Sequence, residues 1–210
     1  MKVLLVNGSP NKEGCTNRAL QEIAMELAKS GIKSEIFWLG KEAIMSCASC
    51  GACNSSGRCA FGGPVNEFLD KAYEADGFIF GSPVHYAAAS GAITSFLGRV
   101  FFAGSRNIDS PFYLKPGASV ASARRAGTTS TFDQLNKFFT ISNMPIISGG
   151  YWNMVHGFTP EDVEKDEEGL QNMRVIGRNM AWFLKVKEAG IKANVPYPIQ
   201  EDQIATNFIR

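Results

Sequence analysis

Four of the chain's five cysteines fall between Cys47 and Cys59, spaced Cys47-x2-Cys50-x2-Cys53-x5-Cys59. Thiolates this close can serve one centre, either a [4Fe–4S] cluster or a tetrahedral zinc ion. Without a metal, the same side chains pack as small hydrophobes. The spacing is not the ferredoxin run, which has three residues and then a Cys-Pro pair; here five residues precede Cys59 and Ala60 follows it. Nor is it the dispersed framework of a disulfide-stapled secreted domain. The fifth cysteine, Cys15, stands at a predicted helix N-terminus, where a thiol pKa can fall. Simple packing beside a bound anion is its plainer role.

Three other stretches carry polar or ring side chains where a buried strand gives way to a helix. The first is Asn7-Gly8-Ser9-Pro10-Asn11-Lys12-Glu13-Gly14-Cys15-Thr16-Asn17. A helix N-terminus there offers backbone N–H groups and the positive end of its dipole to an anion, and Ser9, Asn11, Thr16 and Asn17 add short polar groups. It is not a Walker A loop, since Cys15 stands where the lysine belongs, and the chain has no G-x-G-x-x-G. A terminal phosphate monoester therefore fits better than a nucleoside triphosphate. The second stretch is Gly81-Ser82-Pro83-Val84-His85-Tyr86, followed by Ala87-Ala88-Ala89-Ser90-Gly91. Its rings and small residues suit the approach of a flat conjugated system such as a flavin. The third, Ala121 to Thr129, carries Ser122, the adjacent cations Arg124 and Arg125, and Gly127. The cations could meet electron-rich ring oxygens or an anionic cosubstrate.

The elements that must position these residues alternate. Strands are predicted at Lys2–Val6, Lys33–Leu39, Gly77–Gly81, Ala118–Ala123 and Met144–Ser148, and the short continuous apolar runs among them suit burial on both faces. Helices are predicted at Cys15–Ser30, Val65–Ala75, Ser90–Phe102 and Thr129–Ile141. A last helix, or two broken near Gly169, starts at Thr159-Pro160 and runs to about Ala189. Regular structure is interrupted from about Gly40 to Pro64, the stretch holding the cysteine motif. Strands alternating with helices give right-handed βαβ units and a doubly wound α/β parallel sheet. Ligands of such sheets bind beyond the carboxyl ends of the strands, which is where the three loops lie.

The chain has 210 residues, 45% hydrophobic and 20% charged, with a formal net charge of +1. That balance excludes nucleic-acid binding by bulk charge and a highly charged disordered chain. We expect one domain over residues 1–190 with a C-terminal extension over 191–210. Lys2 is followed by only Val3 to Val6 before Asn7-Gly8-Ser9-Pro10, too short for the roughly 7–15-residue apolar core of a secretory signal. No stretch approaches the ~20 apolar residues of a membrane span. The expectation is a soluble cytoplasmic protein with no nucleic-acid or membrane partner.

Gly8-Ser9-Pro10 with Gly14-Cys15-Thr16-Asn17, then Glu74-Ala75-Asp76-Gly77 and Gly81-Ser82-Pro83-Val84-His85-Tyr86, resemble the flavodoxin-like NAD(P)H-dependent FMN reductase family. The resemblance covers about Met1 to Gly150. It implies a five-stranded flavodoxin-like sheet of order 2-1-3-4-5, non-covalent FMN, NAD(P)H as cosubstrate, and a homodimer or homotetramer. By this resemblance Ser9, Asn11, Thr16 and Asn17 hold the phosphate, and Pro83, Val84, His85 and Tyr86 border the isoalloxazine. Ser122, Arg124 and Gly127 approach its pyrimidine edge or the ribityl chain. His85 stands where an aromatic is more usual. The cysteine spacing resembles iron-sulfur flavoproteins of the same family, which would make Cys47, Cys50, Cys53 and Cys59 ligands of a [4Fe–4S] cluster. The expected activity is an FMN-dependent NAD(P)H oxidoreductase that reduces a small flat acceptor: a quinone, nitroaromatic, azo compound or flavin. The alternatives are an electron carrier using FMN and a [4Fe–4S] cluster, and a flavin-binding regulator without turnover.

Overall fold

Lys2–Asn7 forms β1, and its alternation sets the architecture: Val3 and Leu5 face one layer, Leu4 and Val6 the other, and all four are fully buried. A strand buried on both faces belongs inside a parallel sheet covered twice by helices. The chain continues through α1 (Cys15–Lys29), β2 (Lys33–Trp38), α2 (Cys53–Ser56), α3 (Pro64–Glu74), β3 (Gly77–His85) and β4 (Ala88–Ala89). It then forms α4 (Gly91–Gly104), β5 (Gly117–Ala123), α5 (Thr128–Ile141), β6 (Met154–His156), α6 (Pro160–Val163) and α7 (Glu167–Lys192). This computed structural model describes residues 1–105, 110–201, 204 and 206. Part of the expected 191–210 extension therefore lies outside the described residues. Among the described residues no helix is long and apolar enough to cross a membrane.

The sheet order is β2-β1-β3-β5-β6 with every neighbour parallel, and β4 pairs antiparallel to β3. With the two-residue β4 left aside, this is the expected 2-1-3-4-5 order. Helices α1 and α7 cover one face with aliphatic side chains such as Leu20, Ile23, Met173 and Ile176. Helices α3, α4 and α5 cover the other with phenylalanines. Phe80 stacks on Phe139 at 5.0 Å, and Phe68 meets Phe96 edge-on at 5.3 Å. Such pairs add about 0.5–1.5 kcal/mol each beyond burial.

Four elements differ from the sequence expectation, and one of them is α2 (Cys53–Ser56), a short helix inside the stretch expected to be irregular. The fifth strand of the sheet is Met154–His156, not Met144–Ser148. The earlier run makes one isolated bridge, Ile146 with Gly117, because Pro145 has no N–H for a ladder. The chain then leaves the sheet through Gly149–Trp152. Asn172 of α7 holds that excursion, its Oδ1 accepting from Gly150 N at 2.7 Å and Tyr151 N at 3.1 Å. Strand β3 does not stop at Gly81 but runs on to His85 and turns back as β4. The last helical region is two helices, broken at Asp166 rather than Gly169: Asp166 caps α7 by accepting from Gly169 N at 2.9 Å. The expected start at Thr159 is present as a capping box with Asp162.

Candidate functional site

The first loop is arranged by its own side chains. Asn7, fully buried at the end of β1, accepts from Ser9 N at 3.0 Å and donates to Lys12 O at 3.1 Å. Ser9 Oγ accepts from Asn11 N at 3.1 Å, and Gly14 N donates to Asn11 O at 3.1 Å. Trp38, at the end of β2, donates its indole N–H to Ser9 O at 2.8 Å, and Lys12 lies over its ring. The loop delivers the chain into α1, whose first turn has no side-chain cap and no acid. An uncapped helix N-terminus with no acid in its own first turn presents its N–H groups and dipole to an anion. Ser9 and Asn17 are buried beside it and Asn11 is exposed. The donor set of this turn fits a phosphate monoester.

Thr16 joins the first loop to the third. Its Oγ1 lies 2.7 Å from Ser122 Oγ at the end of β5, and both residues are buried. A hydroxyl has one donor and two acceptor sites, so this bond leaves Thr16 further hydrogen-bonding capacity. The first and second loops are joined as well: Ser90 donates Oγ–H to Gly8 O at 2.9 Å, and Ser90 N donates to the buried Ser82 Oγ at 2.9 Å. Sequence reasoning singled out none of Asn7, Trp38, Ser82 and Ser90 as site residues. For Asn7 the signal was available: a polar residue closing a buried apolar strand.

The second loop is a hairpin. Val84 pairs with Ala89 and His85 with Ala88. Its two turn residues, Tyr86 and Ala87, have φ of +50° and +59°. This is the primed turn that matches hairpin twist, made here without the usual Asn or Gly, and φ above zero in a bulky residue stores strain. The tip holds Tyr86 fully exposed, with His85 also exposed and Pro83 and Val84 half-buried. Gly127, φ +93°, lies against this hairpin: a Cβ there would stand 2.6 Å from Ala87 Cα and 2.8 Å from Val84 Cγ1. Ser130 of α5 donates to Ala87 O, and Ala89 N donates to Gln134 Oε1 at 3.0 Å. The structure thus brings Ser9, Asn11, Thr16, Asn17 and Ser122 to one edge, and Val84 against Gly127. Arg124 and Arg125 point into solvent and form no ion pair among the described residues.

Burial pushes the Cys15 thiol up rather than down, opposed in part by a backbone hydrogen bond. Its Sγ contacts Gly157 O at 3.6 Å. Its side chain packs against the aliphatic layer of the sheet. His156, at the end of β6, lines a shallow cavity at the sheet edge with Tyr151, Trp152, Asp166 and Glu168. Its backbone N–H donates to Asp166 Oδ2 at 2.6 Å.

The four-cysteine motif lies on the phenylalanine side of the sheet. Cys53, in α2, is buried and Cys59 half-buried, while Cys47 and Cys50 are exposed on a stretch without regular structure. All four line one cavity with Phe61, Phe102 and Arg99 of α4. No disulfide joins them. Among the described residues no three His, Cys, Asp or Glu side chains are already gathered to hold a metal ion. Four thiols lining one cavity have the right chemistry for a cluster, and the irregular segment carrying Cys47 and Cys50 has no helical or ladder bonds to break on closing around one.

A parallel sheet of this order, with an uncapped helix N-terminus, a fixed hairpin and two exposed cations along its carboxyl edge, has the flavodoxin-like fold. Residues 1–159 match the family described as NADPH-dependent FMN reductase, and the chain belongs to that family. It is an oxidoreductase of that group, with FMN as its flavin and NAD(P)H as cosubstrate. The chain is 32% identical over 195 residues to an iron-sulfur flavoprotein of Methanocaldococcus jannaschii, covering 89% of this chain and 98% of that one. Among solved structures it is similar to a flavodoxin from the domain Archaea, with TM-score 0.59 and 14% identity over 88% of this chain and 99% of that one. It is also similar to an NAD(P)H:quinone oxidoreductase from Methanothermobacter marburgensis, with TM-score 0.63 and 16% identity over 86% and 96%. At these identities the structural likeness establishes the fold.

Proposed function

We propose that this chain passes electrons from NADH or NADPH to a small flat acceptor such as a quinone, nitroaromatic, azo compound or flavin. The observation that carries the reading is the uncapped N-terminus of α1, without an acid in its first turn, tied by Thr16 to Ser122, and the joining of its loop through Ser90 to the segment after the Tyr86 hairpin. Bound FMN supplies the hydride chemistry; the protein supplies position and charge. Ser9, Asn11, Thr16, Asn17 and the first N–H groups of α1 hold the phosphate. Pro83, Val84, His85 and Tyr86 border the ring, and Ser122, Arg124 and Gly127 approach its pyrimidine edge or the ribityl chain. Arg124 and Arg125 attract electron-rich ring oxygens or an anionic cosubstrate. The small side chains of Ala87 to Ala89 leave room for a second flat molecule. The protein works in the cytoplasm as a homodimer or homotetramer. Purified protein is expected to be yellow and to bleach anaerobically with NADH or NADPH. Bound flavin that neither nucleotide reduces overturns the reading, and steady-state turnover of acceptors separates an enzyme from a flavin-binding regulator.

A second reading is favoured by one observation: all four motif cysteines line one cavity. Cys47, Cys50, Cys53 and Cys59 would hold a [4Fe–4S] cluster, which supplies one-electron transfer, as the name of the Methanocaldococcus relative suggests. Iron and labile sulfide at four of each per chain after anaerobic purification are expected. Their absence removes this reading and leaves the first in place.

A further inference from the structure

Arg99 has 6% of its surface exposed, yet among the described residues its guanidinium pairs with no carboxylate. Its Nε and Nη2 donate to Cys59 Sγ at 3.2 and 3.1 Å. Its remaining partners are carbonyls, Gly62 O at 3.2 Å and Met45 O at 3.5 Å. The Phe61 ring, 6.0 Å away, adds only the weak negative charge of an aromatic face. A guanidinium stays protonated in proteins, and a buried charge is costly unless it is paired. Neutral thiols packed as small hydrophobes provide no counter-charge. Among the described residues lining this cavity, Arg99 is the one charged side chain.

We propose that Arg99 is a positioning residue for the four-cysteine centre: it supplies the counter-charge to the anionic assembly of a cluster on four thiolates, and it raises the reduction potential of that cluster through Cys59. The proposal rests on the iron–sulfur reading above. Reduction of the cluster adds one electron and, with no proton taken up, one negative charge. A fixed cation with N–H donors on a ligand sulfur favours that more negative state, the way hydrogen bonds to sulfur tune such centres. The planar fork of Arg99 also fixes the direction in which Cys59 presents its sulfur.

The test uses full-length protein reconstituted anaerobically with ferrous iron and sulfide, then titrated with dithionite, a one-electron donor in this couple. The readouts are the cluster's midpoint potential and iron and sulfide content, with FMN content as a control for folding. Arg99→Met removes charge and donors at similar length. It should lower the reduction equilibrium about tenfold, or about 59 mV for a one-electron couple, while FMN stays bound. Arg99→Lys keeps the charge without the fork and should fall between Met and wild type. Should the Met variant fail to fold, a Lys variant with a potential below wild type supports the proposal, and one with an unchanged potential overturns it. Wild-type protein that takes up no iron and sulfide overturns the iron–sulfur reading and the proposal together. A wild type that loads a cluster with the same potential as Arg99→Met overturns the proposal alone. Equal shifts in Met and Lys variants assign the effect to lost packing and overturn it as well.

Discussion

Thr16 and Ser122 share a buried bond between the first and third loops, so each supports the other's place at the site. Thr16→Val keeps the shape and leaves the Ser122 hydroxyl buried without that partner. Such a loss costs about 1–3 kcal/mol and should lower the melting temperature of flavin-free protein, a change that thermal unfolding detects before any ligand is added. Ser9 differs, because its buried hydroxyl accepts from Asn11 N within its own loop and keeps a proton to donate. A hydrogen bond to a phosphate oxygen is worth about 1.5–3 kcal/mol. Ser9→Ala should therefore weaken FMN binding roughly 10- to 150-fold and leave riboflavin, which lacks the phosphate, nearly unchanged. Fluorescence titration with both ligands decides it, and equal losses for the two would place the phosphate elsewhere. At this scale the sequence showed which residue types stood at the strand ends. It did not show that Trp38 would reach Ser9 or that Ser90 would reach Gly8, because those bonds join loops distant along the chain.

Lys115 donates to Ala72 O at 2.9 Å, at the end of α3, from the segment leading into β5. Burial pushes its ammonium down to about 8, with Asp76 opposing and Lys187 of α7 adding to the fall. Between about pH 8 and the ordinary lysine value of 10.5 the unfolded chain holds the proton that the folded one has released. Stability contributed here therefore rises with pH across that window. Denaturant unfolding at pH values on either side of 8 should show the rise, and Lys115→Met should flatten it. Asn172 makes a second element-scale prediction. It also donates to Tyr151 O and Trp152 O, at 3.2 and 3.0 Å. Asn172→Ala should cost about 1–3 kcal/mol and speed hydrogen exchange at the Gly150 and Tyr151 amides, while amides of β1 stay protected. Four of the five parallel strands and the long helices were legible in apolar periodicity. The fifth was not, since Met144–Ile147 has the apolar run but Pro145 within it, while Met154–His156 is too short to carry a pattern. The hairpin was hidden because Tyr86 and Ala87 are not turn-forming residue types.

Across the whole molecule the sheet separates an aliphatic layer from a phenylalanine layer, and the cysteine cavity opens on the latter. The doubly wound class was readable because alternating βα order leaves few topologies. That four cysteines could share one site was suggested by spacing, and all four line one cavity, while the pairing of Cys59 with Arg99, forty positions on, was not suggested. Flavin that binds only the folded chain stabilises it, by about 2.7 kcal/mol at a free concentration of a hundred Kd. For a domain of this size that is on the order of 5–10 °C in melting temperature, and stripping FMN should lower it by that much in calorimetry. At one edge of the sheet β6 is three residues long, and the segment before it is held out of line by Asn172. At the other edge, β2 carries Glu35 between Lys2 and Lys71. A long, flat, apolar edge invites another chain to continue the ladder, whereas short or charged edges discourage it. The β6 border is too short, and the β2 border too charged, to favour a foreign strand, so copies of this protein that assemble are expected to meet through side-chain surfaces rather than by extending the backbone ladder.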